Sequence, residues 1–205
     1  MFELFFFVNP IGGTCHECEK IAFQTMQQYN KKFNYHLIPM ASMPSIIDAL
    51  ENNKGNYDLN LFNQFSGDTF NAIKDFHSIK LLKGNKLAKQ FVLNLQEMVN
   101  IQKCKYSEEL VLQLINNLDL SAKTFKEMRQ SEYVNMSIDE DLKLINTFNI
   151  KVTPTIIIYN YAKDEAGYLF EGKLEINCLK KMFQKPQPQQ NKKIALSLHV
   201  LKNIT

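Results

Sequence analysis

No segment of this chain carries a dense charge of one sign: 24 Lys and Arg stand against 21 Asp and Glu, the formal net charge is +3, and neither sign masses in a tract. Nucleic-acid affinity comes from clustered cations that displace phosphate counterions, so no nucleic-acid partner is expected. Nor is there an apolar stretch of the roughly 18 residues that a membrane-spanning helix needs, and no membrane partner is expected. No basic leader precedes the apolar run that begins just after Met1, and the run stops at Val8, where a secretory signal would continue toward a cleavage site. This pattern predicts a cytoplasmic location. Cysteines are few, four in 205 residues, at positions 15, 18, 104 and 178. In a reducing compartment they do not make a disulfide framework, so a Cys-x-x-Cys pair there asks for catalysis or a metal.

What is present falls into blocks. Phe2 to Val8 is a continuous apolar and aromatic run of strand length, which predicts a strand buried on both faces. Asn9-Pro10 and Gly12-Gly13 break it. Ile21, Ala22, Thr25, Met26 and Tyr29 then recur at helical spacing, with Lys20, Gln24, Gln27, Gln28 and Lys31 on the other side. Residues 34–39 alternate as a second strand. From about 44 to 148 the pattern is helical: Leu87, Phe91, Val92, Leu95, Met98 and Val99 form one stripe. Tyr106 and Val111 flank Ser107, and Leu120 and Phe125 flank Ser121, at the spacing of hydrophobic staples, while Ser137 and Glu140 have the spacing of a capping box. Asn149 supplies a left-handed helix end. "TIIIYN", "AKDEAG" and "YLFEG" read as strand, hairpin turn and strand, and Leu174 to Phe183 as a closing helix with Cys178 on its apolar side. Residues 185–205 are a Pro/Gln-rich linker and an alternating, strand-like tail with no evident place in the domain.

The cysteine pair lies in "FFFVNPIGGTCHECEK". Thr14 and Glu17 have capping-box spacing, which makes Cys15 the first helical residue and Cys18 the fourth. At such a position the free backbone N–H groups and the helix dipole favour a thiolate, the form that attacks disulfides, so a Cys15 pKa below the free-thiol value is expected. Cys18, one turn in and facing Ile21 and Ala22, would resolve the mixed disulfide. His16, if protonated, favours the Cys15 thiolate and Glu17 opposes it. Zinc binding and a pair without chemistry are the other readings. Zinc needs two further ligands, and Cys104, Cys178, His36, His77 and His199 supply no second pair at ligand spacing. No metal and no cofactor is expected.

The same stretch resembles the strand, loop and CxxC helix of the thioredoxin fold, and "FNIKVTPTIIIYN" resembles that fold's second signature, whose proline is cis. Between them lie about 135 largely helical residues, similar to DsbA-type proteins with an inserted helical domain. "AKQFVLNLQEMV" and "YSEELVLQLINNLDLSAKTFKEM" also resemble the insert of the cytoplasmic DsbA-like proteins of low-GC Gram-positive bacteria, a group that includes the SpxH (YjbH) adaptors. The resemblance covers residues 1 to about 184. It implies an α/β thioredoxin fold with a DsbA-like helical insertion: residues 1–43 and 136–184 as the thioredoxin-like part, and 44–135 as the insert. It makes Cys15 the nucleophile, Cys18 the resolving cysteine, Pro154 a cis-proline facing them, and Thr153 a backbone that pairs with a substrate strand. His16 stands where the family often has proline, and the chain has no Trp, which such sites often carry.

Two functions then compete. One is a cytoplasmic thiol-disulfide oxidoreductase or isomerase acting on protein or small-molecule disulfides, with reduction or shuffling the expected direction in a reducing cytosol. The other is an adaptor of the SpxH type, which the resemblance implies would hand the regulator Spx to the ClpXP protease, with the cysteines as sensor or relic. An unpaired C-terminal strand free to join a partner's sheet edge favours the second.

Overall fold

In the computed structural model, the structure describes residues 1–29, 32–54, 58–161, 167–172, 177, 179–180, 183 and 193–194. The apolar run forms β1 (Phe2–Val8), buried along its whole length. It pairs in parallel with β2 (Phe33–Pro39), from Phe2 opposite Phe33 to Val8 opposite Pro39. On its other side lies β3 (Thr155–Asn160), antiparallel, with Phe2 opposite Asn160. β4 (Gly167–Glu171) and the two residues of β5 (Lys193–Ile194) complete the order β2-β1-β3-β4-β5. The parallel neighbours are joined through α1 (Gly13–Gln27), as a parallel pair requires a crossover.

Because side chains alternate along a strand, β1 serves two cores. Phe2, Leu4, Phe6 and Val8 join a cluster with Cys15, Cys18, Ala22 and Met26 of α1. Phe5 and Phe7 join Leu144, Ile145, Phe148 and Ile150 on the opposite face. The expectation of a strand buried on both faces is met.

Residues 43–147 are helical wherever a regular element is described: α2 (Met43–Lys54), α3 (Leu59–Lys83), α4 (Asn85–Gln96), a π-helical segment (Glu97–Ile101), α5 (Glu108–Asn116), α6 (Ala122–Arg129) and α7 (Glu132–Thr147). Phe91, Val92 and Leu95 of the α4 stripe are buried in the first cluster, with Leu87, Met98 and Val99 packed against it. Ser107 caps α5 by accepting the Leu110 N–H at 3.3 Å. Asn149 takes φ 52° as expected. Buried ionisable groups tie the helices together: the Arg129 Nε lies 2.7 Å from Asp75 Oδ1, Tyr106 donates to Asp75 Oδ2 at 2.5 Å, and His77 Nδ1 is hydrogen-bonded to Ser137 Oγ at 2.8 Å.

Three expectations need correction. Ser137 does not open a helix: α7 begins at Glu132 after Ser131, and Ser137 lies inside it, where its hydroxyl serves His77 instead of a backbone N–H. The helix therefore runs through the 135/136 boundary unbroken. The start of the tail is not unpaired, since Gly167 faces Ile194 and Tyr168 faces Lys193 across an antiparallel ladder. The Thr14/Glu17 box does not form, as described below. The hairpin turn at 162–166, Cys178 and most of the closing helix and tail lie outside the described residues, although Leu179 and Phe183 are helical and fully buried in the first cluster.

Candidate active site around Cys15 and Cys18

The site is built where β1 ends. Asn9, itself buried, folds the chain back: its Oδ1 accepts the Ile11 N–H at 3.0 Å and its carbonyl accepts the Gly12 N–H at 3.0 Å, an Asx-type turn. The turn is tight enough that a Cβ on Gly12 would lie 3.0 Å from the Asn9 Cβ. Because the turn already directs the chain, the helix starts early. Gly12 is the N-cap, without a side-chain cap bond, and Gly13 is the first helical residue. Thr14 and Glu17 thus fall inside the helix, and Cys15 is its third residue, not its first. This overturns the capping-box assignment. The Cβ that Gly13 lacks would sit 3.1 Å from Asn100 Oδ1 of the π-helical segment, so glycine lets the insert press on the start of α1.

Neither Cys15 nor Cys18 is in a disulfide, and both are buried, at 2% and 1% exposure. The Asn9 N–H points at Cys15 Sγ from 3.2 Å, and Cys18 Sγ donates to the Gly172 carbonyl at 3.9 Å. The Thr153–Pro154 bond is cis, as the resemblance implied, and Thr153 is among the groups acting on the Cys15 thiol. Thr153 is buried, and the Pro154 carbonyl is taken by the Gly172 N–H at 2.8 Å. Burial pushes the Cys15 thiol well above the ordinary thiol range, with the Asn9 N–H and Thr153 working against it and the Glu19 and Cys18 charges adding to it. The expected low pKa is therefore corrected: a sulfur withdrawn from water loses more by ionising than the helix terminus returns. His16 is buried, its ring 3.4 Å from Glu97 of the π-helical segment. Burial and Lys20 lower its pKa, so it brings no fixed positive charge to Cys15.

The structure therefore brings Cys15, Cys18, Thr153 and Pro154 together and turns His16 toward the insert. Residues passed over in the sequence complete the surroundings. Glu19, one turn after Cys15, is fully buried, and Gln96, the last residue of α4, donates from Nε2 to Glu19 Oε1 at 3.0 Å and to the Asn9 carbonyl at 3.4 Å. Glu19 had a signal, since Cys15, Glu19, Ala22 and Met26 recur at i, i+4, i+7, i+11. Gln96 had none, because its partners are 77 and 87 positions away. Cys104 is half-buried and packs against the first cluster. Among the described residues no group of three His, Cys, Asp or Glu converges as metal ligands would. No described helix is long and apolar enough to cross a membrane.

A family model described as Thioredoxin matches residues 5–181. The ClpXP adapter protein SpxH of Bacillus subtilis is 22% identical over 187 residues, covering 83% of this chain and 62% of that protein. The chain thus spans about six-tenths of the length of the curated relatives it matches. A Nitrosomonas europaea protein provisionally assigned as a disulfide isomerase superposes with a TM-score of 0.62 at 14% identity, covering 88% of this chain and 95% of the other. The cytosolic disulfide reductase DsbM of Pseudomonas aeruginosa does so at 0.53 and 12% identity, covering 82% and 89%. The signature strand, the CxxC helix, the cis-proline loop and the helical insert between them agree with the family match over most of the chain: it belongs to the thioredoxin family, in the DsbA-like arrangement.

Proposed function

We propose that this chain is a thiol-disulfide oxidoreductase or isomerase of the DsbA type, working in the cytoplasm on protein or small-molecule disulfides. The observation that carries the reading is one juxtaposition: two thiols three residues apart at the start of α1, beside Thr153 and cis-Pro154, with a backbone N–H aimed at the first. Cys15 Sγ, as thiolate, attacks one sulfur of a substrate disulfide. A mixed disulfide forms and the second substrate sulfur leaves as thiolate. Cys18 then attacks Cys15 Sγ, the first substrate sulfur leaves, and the Cys15–Cys18 disulfide holds the two electrons' worth of oxidation until a cellular thiol reduces it. Burial slows the first step, because the thiolate must form in a dry site. Exchange therefore waits on a substrate whose strand takes the Pro154 carbonyl from Gly172 and opens the site.

A second reading is favoured by that same closure together with the named relatives: an adaptor that delivers the regulator Spx to the ClpXP protease, with the sulfurs buried as a sensor or relic. One pair of experiments separates the two. Insulin reduction that is lost in Cys15→Ser supports exchange. No turnover, with specific retention of Spx by a Cys15→Ser/Cys18→Ser double variant, supports the adaptor and rejects the enzyme.

A further inference from the structure

Glu19 and Gln96 pose a problem of hydrogen-bond accounting. Gln96 Nε2 donates to Glu19 Oε1, yet Glu19 Oε2 and Gln96 Oε1 are both buried without a hydrogen-bond partner. Both are acceptors if the carboxyl is ionised, and each orphaned acceptor in a dry core then bears its full desolvation cost. A proton on Oε2 turns one acceptor into a donor. A carboxylic acid and a primary amide can form a reciprocal pair, with the observed N–H to Oε1 in one direction and an O–H to Oε1 of the amide in the other. Among the described residues no cation acts on this carboxyl: burial favours the acid, the Gln96 N–H by itself favours the anion, and it is the unused amide oxygen that can hold the proton. The titratable groups it acts on are Cys15 of its own helix and Tyr35 of β2, and Lys89 of α4 sits over the Tyr35 ring with Nζ 3.8 Å from its centroid.

We infer that Glu19 is a positioning residue for Cys15, held uncharged in a closed acid–amide pair by Gln96 of the inserted helices, and that its ionisation suppresses the Cys15 thiolate. This deepens the exchange reading and rests on it. The physical link is short-range charge. Cys15 and Glu19 are one helical turn apart in a water-poor site, so the two groups cannot both be negative without a large penalty, and the first to ionise holds the other neutral. The insert thereby acts on the cysteine through Glu19. Gln96 also holds the Asn9 carbonyl, whose residue gives its N–H to Cys15 Sγ. A partner that shifts α4 would release both contacts together.

The test uses the full chain and its Glu19→Gln variant, in which the amide pair can still close but no charge can form. Infrared spectra report the carboxyl directly: a protonated-acid carbonyl band at neutral pH, absent from Glu19→Gln and fading in the wild type under alkaline conditions. In parallel, the rate of Cys15 alkylation is followed in a Cys18→Ser/Cys104→Ser/Cys178→Ser background as pH is raised. The ratio of the Glu19→Gln rate to the Glu19 rate climbs by about threefold or more between roughly pH 7 and pH 9.5, the range in which an acid–thiol pair competes for one proton. If the neutral-acid band is missing, or the two rate profiles run parallel throughout, the inference fails. Neither readout needs a substrate disulfide, so a null insulin assay would remove the exchange reading and leave this result standing. Gln96→Glu is the second variant: it adds a carboxyl that shares the proton and leaves one net charge, and Cys15 alkylation at neutral pH drops by about tenfold, the factor for one unit of thiol pKa. An unchanged rate in this variant counts against the pairing.

Discussion

At the scale of single residues, burial outweighs placement. Cys15 has a backbone N–H at 3.2 Å and sits in the first turn of a 15-residue helix, yet desolvation leads and the thiol is pushed up. In the folded protein, iodoacetamide should therefore label Cys104, which is half-buried, before Cys15, and denaturant should speed Cys15 labelling more than Cys104 labelling. Quantitative mass spectrometry of the peptides reads this order, and the reverse order would contradict the buried-thiol geometry. Glu19 gives a stability prediction of the opposite sign to that of an ordinary salt-bridged carboxylate. Its pKa is raised by burial from 4.5 to about 8, so between those values the folded state binds the proton and the unfolded state does not. Stability is then greatest below pH 4.5 as far as this group is concerned, and falls as pH rises toward 8. The full span is worth roughly 5 kcal/mol. Glu19→Gln should flatten that part of the profile in urea melts at a series of pH values, and an unaltered slope would place the proton elsewhere.

At the scale of elements, α3 organises the insert through polar contacts that apolar periodicity does not record. Asp75 has no exposure, and burial raises its pKa to about 6 against the pull of Arg129 and Tyr106. Removing one partner leaves a buried charge uncompensated, so Arg129→Met should cost about 3–5 kcal/mol. Adding Asp75→Asn should recover most of it, since the remaining Tyr106 hydroxyl can still bond the amide. Equilibrium urea unfolding of the two variants checks this, and equal stability of the single and double variants would deny the coupling. Ser137 tells the same story on a smaller scale. Its spacing from Glu140 is that of a cap, but the hydroxyl is 2.8 Å from His77, which burial holds neutral down to about pH 3. Ser137→Ala should cost about 1 kcal/mol or somewhat more, the value of a buried hydrogen bond whose partner is left behind.

At the scale of the whole molecule, the sheet and the insert share one apolar cluster: Leu4 and Phe6 of β1 meet Cys15 and Cys18 of α1, Phe76 of α3 and Phe91 of α4 within it. Unfolding followed by tyrosine near-UV and by far-UV circular dichroism should give coincident, single transitions. An early far-UV transition alone would mean that the insert melts by itself. Much of this architecture was legible in the order of residues. Strands of continuous apolar or β-branched residues, a 3.6-residue stripe such as Leu87 to Val99, Asn149 at a helix end and the T-P-T loop are local patterns, and local sterics and periodicity enforce them wherever the chain goes. The pairing of cysteines on one helix was local too, and so was visible. What the folded chain alone decided depends on neighbours remote in sequence: the dryness that raised the Cys15 thiol, the pairing of Ile194 with β4, and the meeting of Glu19 with Gln96. Each is a matter of which groups lose water together, and water is excluded only once strands and helices far apart in the chain have closed on one another.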